Sequence, residues 1–225
     1  MARQARKVLV IDVGGTKVKV GGTGRKELIR IPSGPKMTAR QMAEQVKKAL
    51  GGWEYDAVSI GFPGPVENGH IADEPKNLGG GWVGFDFKRA FGAPVKIIND
   101  AAMQALGSYE GGRMLFLGLG TGLGSALVID GVVAPMELAH LPYRKGMTYE
   151  DYLGVRGLER LGKKRWRKHV EKVVALLRHG LQCGYVKLGG GQTKLLKELP
   201  DGVRLGDNLH AIEGGIRLWA NEAQA

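Results

Sequence analysis

The chain has 225 residues, enough to bury a full core and to form one large or two small domains. Its 37 glycines accompany 43% hydrophobic residues, which marks a globular protein and excludes a low-complexity one. A net charge of +11, from 33 Lys and Arg against 22 Asp and Glu, favours an anionic partner without choosing among nucleic acid, a membrane surface and polyphosphate. The single cysteine, Cys183, excludes an internal disulfide and any multi-cysteine zinc site.

The basic opening MARQARK leads into an apolar run that stops at Asp12, too short for a signal or membrane helix, so a cytoplasmic location is expected. That run, 8–11, meets a glycine turn, DVGGTK, and a second β-type run at 18–20. Residues 114–117 do the same before GLGTGLGS, with a β-type run at 126–129 after it. Both read as hairpins, and because a strand rather than a helix follows the glycines, neither is a Rossmann or Walker fingerprint. Such turns let backbone N–H groups approach an anion, and Thr16 and Thr121 each add a hydroxyl donor. The recurrence predicts two related α/β lobes facing each other across a phosphate-holding cleft.

Residues 27–31 read as a third strand. Thr38 can cap a helix that buries Met42, Val46, Ala49 and Leu50 and ends at Gly51. A buried strand at 57–60 runs into GFPGPV, a stiff loop at a strand's carboxyl end, the usual address for ligands in open α/β sheets. Residues 68–85, with NLGGGW at their centre, read as a long loop, and such loops are often functional. A short helix at 85–91 and a buried strand at 95–98 follow, ending in Asn99-Asp100 before the helix AAMQALGSY. There Asp100 can cap the helix or, at the end of a central strand, act as a base.

After the second hairpin, Glu137 and His140 stand three apart and would share a helix face; no H-E-x-x-H metal pattern accompanies them. Residues 149–180 read as helix, with an apolar stripe from Leu158 to Leu177 and the densest basic cluster of the chain: Arg156, Arg160, Lys163, Lys164, Arg165, Arg167, Lys168 and Lys172. The cluster lacks the aromatic interleaving of a nucleic-acid module. A strand at 185–188 enters GGGQTK, a third glycine turn expected to open a helix whose N-terminus could hold phosphate. Residues 208–220 read as a closing helix with a tight packing point at Gly214-Gly215.

Taken in order, these motifs resemble the ROK family of sugar kinases, in particular its polyphosphate glucokinase branch, over nearly the whole chain. The resemblance implies the two-lobed, actin-like ATPase (ribonuclease H-like) α/β fold, with a small lobe over 1–100, a larger lobe over 101–207 and a closing helix at 208–225 returning to the first. It implies a phosphotransferase with an alcohol acceptor that moves a phosphoryl group from ATP or polyphosphate to a hexose, glucose first, with Mg²⁺ and without structural zinc. Asp100 would be the base. Asn99, Glu137 and His140, with Gly64 of GFPGPV and Asn77 of NLGGGW, would meet the sugar. Asp12, Gly14, Gly15, Thr16 and Lys17 would form the first phosphate loop, Gly120, Thr121 and Gly122 the second, and Gly189, Gly190 and Gly191 the adenosine-side turn; Asp12 would help to place Mg²⁺ indirectly.

The resemblance implies neither nucleic acid nor membrane as partner and admits a homodimer. Three departures stand out: Ala139 replaces the glycine of the E-x-G-H motif, the zinc cluster has no counterpart, and the segment between His140 and Tyr149 is short. Glu150 is a candidate for a sugar contact in that shortened region. The other reading within the family is a non-catalytic sugar sensor, which would carry an added helix-turn-helix; about seven residues precede the first strand, so the kinase is expected.

Overall fold

The computed structural model describes residues 6–25, 27–207 and 209–220, which divide into two units: up to Met103 together with Ala211 onward, and Gln104–His210. The first unit opens with β1 (Val8–Val13), β2 (Lys17–Gly22) and β3 (Ile29–Pro32), an antiparallel meander whose first turn is DVGGTK. Helix α1 (Ala39–Leu50) follows, then β4 (Ala57–Phe62), the small hairpin β5 (Val66–Glu67) and β6 (His70–Ile71), α2 (Phe87–Phe91) and β7 (Val95–Asn99). The five-stranded sheet runs β3-β2-β1-β4-β7, with β1, β4 and β7 parallel.

Period-two alternation on β1 explains the layering. Leu9, Ile11 and Val13 join the core that contains Met42, Ala43 and Val46 of α1, while Val8 and Val10 join a second cluster with Met103, Ala211, Ile212 and Trp219 on the other face. Thr38 makes a full capping box with Gln41, and Gly51 ends α1 in the left-handed region (φ 56). Ala43 is buried in α1 and Ala49 is exposed: the buried face drifts round the helix at 3.6 residues per turn, which puts Ala49 on its outer side. The expected buried strand before Asn99 is β7, at the sheet edge and only half-buried.

Helix α3 (Asp100–Ser108) leads into the second unit: β8 (Arg113–Leu119), β9 (Leu123–Ile129), β10 (Val132–Met136), a 3-10 turn at Leu138–His140, β11 (Pro142–Arg144), β12 (Met147–Thr148), α4 (Tyr149–Leu153), α5 (Val155–Gly180), β13 (Tyr185–Gly189), a 3-10 turn at Thr193–Leu195 and β14 (Val203–Leu205). Its sheet runs β10-β9-β8-β13-β14, antiparallel through β9 and parallel from β8 to β14. This is the strand order of the first unit repeated, the structural counterpart of the repeated glycine hairpin. Trp166, Val170, Val173 and Val174 of α5 pack on Leu115, Leu117 and Leu119.

The helical stretch at 149–180 is broken at Gly154 and kinked at Gly162, whose φ of 72 only glycine adopts cheaply. GGGQTK opens no long helix; the chain makes one 3-10 turn that ends at the extended Leu196, so a helix-dipole anion site is absent there. Helix α6 (His210–Arg217) ends the described fold and belongs, from Ala211, to the first unit. A Cβ at Gly215 would collide with Val10, and Ser59 Oγ donates to Gly215 O at 2.6 Å, so the Gly214-Gly215 packing point is real. The expected closing helix over 208–225 falls in part on residues 208 and 221–225, which lie outside the described residues.

Candidate functional site

In the first unit, the turn between β1 and β2 is tied at three points. Gly14 N–H donates to Lys17 O, Ser33 N–H donates to Thr16 O, and Ser33 Oγ donates to Gly14 O at 2.6 Å. Ser33 carried no sequence signal; its role follows from β3 running beside β2, which returns the chain to the turn. Gly15 packs on Asn77, whose Cβ lies 3.2 Å from where a side chain at Gly15 would begin, so the first phosphate-type loop and the NLGGGW loop meet inside one unit. Asp12 is buried at the end of β1, and Lys19 Nζ approaches its Oδ2 at 3.0 Å.

Asn99 and Asp100 sit where β7 becomes α3. Asn99 Oδ1 accepts the N–H groups of Ala101 (3.0 Å) and Ala102 (3.2 Å), and Asn99 Nδ2 donates to Gly64 O at 3.2 Å. Asn99 is therefore the cap of α3 and the tie to GFPGPV. Asp100 is the first helical residue and keeps its Oδ1 2.7 Å from Ala101 N. Gly61 lets β4 approach the start of α3: a Cβ there would collide with Met103 and lie 3.5 Å from the Asp100 Cα.

In the second unit, the two glycine turns meet. Gly118 and Gly189 are paired in register across β8 and β13, Gln192 N–H donates to Leu119 O, and Gly190 (φ 88) presses so closely on Leu119 O that no side chain fits. Gly120 N–H donates to Gly122 O within the second turn. Glu137 precedes the 3-10 turn and His140 ends it, with His140 Nε2 3.6 Å from Glu137 Oε2 and both side chains about 60% exposed (62% and 61%). Ala139 is buried between them in the chain, among Leu138 and the rest of the second core.

The short segment after His140 is the β11-β12 hairpin, held by Tyr143, whose hydroxyl lies 3.0 Å from His169 Nδ1 and whose ring packs on Tyr149 and Tyr152. Burial and the nearby Arg144, Lys172 and Arg160 hold the His169 imidazole below its usual range. The basic cluster separates into parts. Arg160 donates to Asp151 O and Arg167 to Leu195 O, which makes them struts, whereas Lys163, Lys164, Arg165, Lys168 and Lys172, like Arg160, are exposed. Among the described residues, no group of three or more His, Cys, Asp or Glu could hold a metal ion, and no helix is long and apolar enough to cross a membrane.

The ROK family model matches residues 8–135, more than half of the chain. A curated polyphosphate glucokinase of Mycobacterium tuberculosis (strain CDC 1551 / Oshkosh) is 28% identical over 206 residues, covering 80% of this chain and 76% of that protein. The crystal structure of an inorganic polyphosphate/ATP-glucomannokinase from Arthrobacter sp. strain KM superposes with a TM-score of 0.79 at 24% identity, covering 96% of this chain and 99% of that one. A ROK family transcriptional regulator, a homologue of the E. coli MLC protein, superposes with a TM-score of 0.73 at 14% identity, over 96% of this chain and 78% of its own. With two sheets of one strand order, a glycine hairpin opening each, and a family match across the first sheet and into the second, the chain belongs to the ROK family and has its actin-like ATPase fold.

Proposed function

We propose that this protein is a sugar kinase that transfers a phosphoryl group from ATP or inorganic polyphosphate to the 6-hydroxyl of glucose or a related hexose. The observation that carries the reading is the division of labour at the end of β7: Asn99 caps α3 on Ala102, and the neighbouring Asp100 presents a carboxylate at the carboxyl end of a parallel strand. In the reaction the sugar hydroxyl oxygen bonds to phosphorus, the bond from that phosphorus to the bridging oxygen breaks, and the hydroxyl proton passes to Asp100. The donor leaves as ADP or as a polyphosphate one unit shorter. Such a transfer asks the protein mainly for positioning and charge stabilisation, with the base needing only to accept one proton.

The exposed Glu137 and His140 offer an acceptor and an imidazole suited to vicinal sugar hydroxyls, the role the family resemblance also gives to Gly64 and Asn77. The tied turns at 14–17 and 120–122 are the candidates for holding the donor phosphates, through N–H groups other than those of Gly14 and Gly120, and Gly189 to Gly191 for the adenosine side. Mg²⁺, when bound, neutralises charge on those phosphates, and Asp12 would hold it through water. The name of the Mycobacterium relative supports polyphosphate, and that of the Arthrobacter enzyme supports both donors. The exposed cations Lys163, Lys164, Arg165, Lys168 and Lys172 of α5 favour a long polyanion, whose binding releases counterions as binding of a nucleic-acid strand does.

The donor assignment is tested by replacing Lys163, Lys164, Arg165 and Lys168 together with Gln. The polyphosphate KM should rise steeply with salt in the parent and lose most of that dependence in the variant, while the ATP KM moves little. Full turnover with ATP and none with polyphosphate at low salt would reduce the cluster to a solvated helix face.

A further inference from the structure

The core face of β9 reads Leu123, Ser125, Leu127: the two leucines pack in the second core, and the serine between them is only 2% exposed. A buried hydroxyl on an apolar face costs free energy unless it is bonded, and this one is bonded twice. Ser125 Oγ donates to Met136 O at 2.8 Å and accepts the N–H of Leu138 at 3.2 Å. The two partners stand on either side of Glu137 in the chain. One hydroxyl therefore clamps the backbone before and after that residue.

The clamp sits where regular structure gives out. The β9-β10 ladder ends at the Ser125–Met136 pair and the 3-10 turn starts at Leu138, so Glu137 lies between the two, with φ −110 and ψ 48. Its own side chain makes no capping hydrogen bond. Ser125 does the capping instead, by accepting the first N–H of the turn, and the Glu137 carboxylate stays exposed beside His140. Leu138 and Ala139 are buried in the core, which anchors the turn from below.

We infer that Ser125 is a positioning residue for the sugar: it sets the backbone at Glu137, and so the carboxylate that meets the sugar hydroxyls, and it does not act on the phosphoryl donor. The inference rests on the sugar-side reading of Glu137. The motif GLGTGLGS groups Ser125 with the donor turn, but its side chain faces the core and bonds the backbone around Glu137. A serine hydroxyl has one proton, and here it goes to Met136 O, which leaves none for a phosphate oxygen. Removing the hydroxyl takes a partner from both Met136 O and Leu138 N–H, so the turn can shift and the sugar must then supply the ordering that Ser125 supplied.

The test uses the full chain, with glucose Kd by calorimetry, KM for the donor that the wild type uses, ATP or polyphosphate, and hydrogen exchange at the Leu138 amide. Ser125→Ala should weaken glucose Kd by roughly tenfold, leave donor KM within about twofold and speed exchange at Leu138. In a Glu137→Ala background the same change should move glucose Kd by less than about twofold, because the residue it acts through is already gone. Ser125→Cys, close in size and a weak hydrogen-bonding group, takes the place of Ser125→Ala if that variant does not fold. An undiminished effect in the Glu137→Ala background overturns the inference, and so does a rise in donor KM with glucose Kd unchanged. If Glu137→Ala alone leaves glucose Kd unmoved, the sugar-side reading of Glu137 is overturned instead, and exchange at Leu138 still decides whether Ser125 holds the turn.

Discussion

Asn99 Oδ1 accepts the N–H of Ala102 at 3.2 Å, so the residue beside Asp100, and not Asp100 itself, closes the first turn of α3. The two neighbours should then fail differently. Asn99→Ala should cost about 1 kcal/mol of stability, the usual value of a lost cap, with a further loss from freeing GFPGPV at Gly64. Asp100→Asn should keep the fold and sugar binding and lower kcat by about 10² or more. Thermal melts and steady-state kinetics on both variants check this; an Asp100→Asn protein that unfolds while keeping its specific activity would return Asp100 to a capping role.

Glu137 and His140 lie within reach of each other on the 3-10 turn, so each variant tests one ligand set. Glu137→Ala and His140→Ala should raise sugar KM more than donor KM, because a site built to pair hydroxyls suffers when one partner is lost. Equal effects on both substrates would contradict the sugar-side assignment.

Ser33 holds the first glycine turn through its hydroxyl on Gly14 O and its N–H on Thr16 O. Ser33→Ala removes only the side-chain bond, worth about 1 kcal/mol, so donor KM should rise roughly fivefold with sugar KM unmoved. Ser33→Thr, which keeps a hydroxyl, should recover part of the loss.

In the second unit, Lys187 is buried on β13, and its Nζ lies 2.5 Å from Glu110 Oε1, while Arg204 bonds the other oxygen. The Lys187 hydrogen bond leads the causes that hold the Glu110 carboxyl below its usual 4.5. A carboxyl lowered on folding stabilises the folded state fully above about 4.5, and that contribution is lost as pH falls through the lowered value. Denaturant melts from pH 7 down through the acid range below 4.5 should show the loss in the parent and a smaller pH difference in Glu110→Gln, which at pH 7 leaves Lys187 buried beside a neutral partner and should be clearly less stable.

The strands and the glycine turns were legible because their signals are local: an apolar run, glycines and a threonine suffice for each hairpin, and repetition pointed to the shared strand order. The capping by Asn99 was not legible, since Asn and Asp both cap and only the start of α3 in space decides between them. Ser33, Lys19 and Glu150 act across sequence gaps that no periodicity marks; Ser33 reaches Gly14 because β3 pairs with β2, and Glu150 reaches Leu123 because α4 folds back on β9. The break at Gly154 precedes the apolar stripe that begins at Leu158, so the stripe carried no sign of it, and the helix expected after GGGQTK is a single 3-10 turn that ends at the extended Leu196. Site residues carried by the family resemblance fell in two groups, one in each unit, each held by its own local ties.

The most direct measurement is phosphorus-31 NMR of glucose incubated with Mg²⁺ and either ATP or polyphosphate, run with the wild-type protein and with Asp100→Asn. The account predicts glucose 6-phosphate from at least one donor with wild type, and about 10²-fold slower formation with Asp100→Asn at unchanged glucose affinity. Glucose bound by calorimetry with no phosphorylated product from either donor would contradict it and make the protein a sugar sensor.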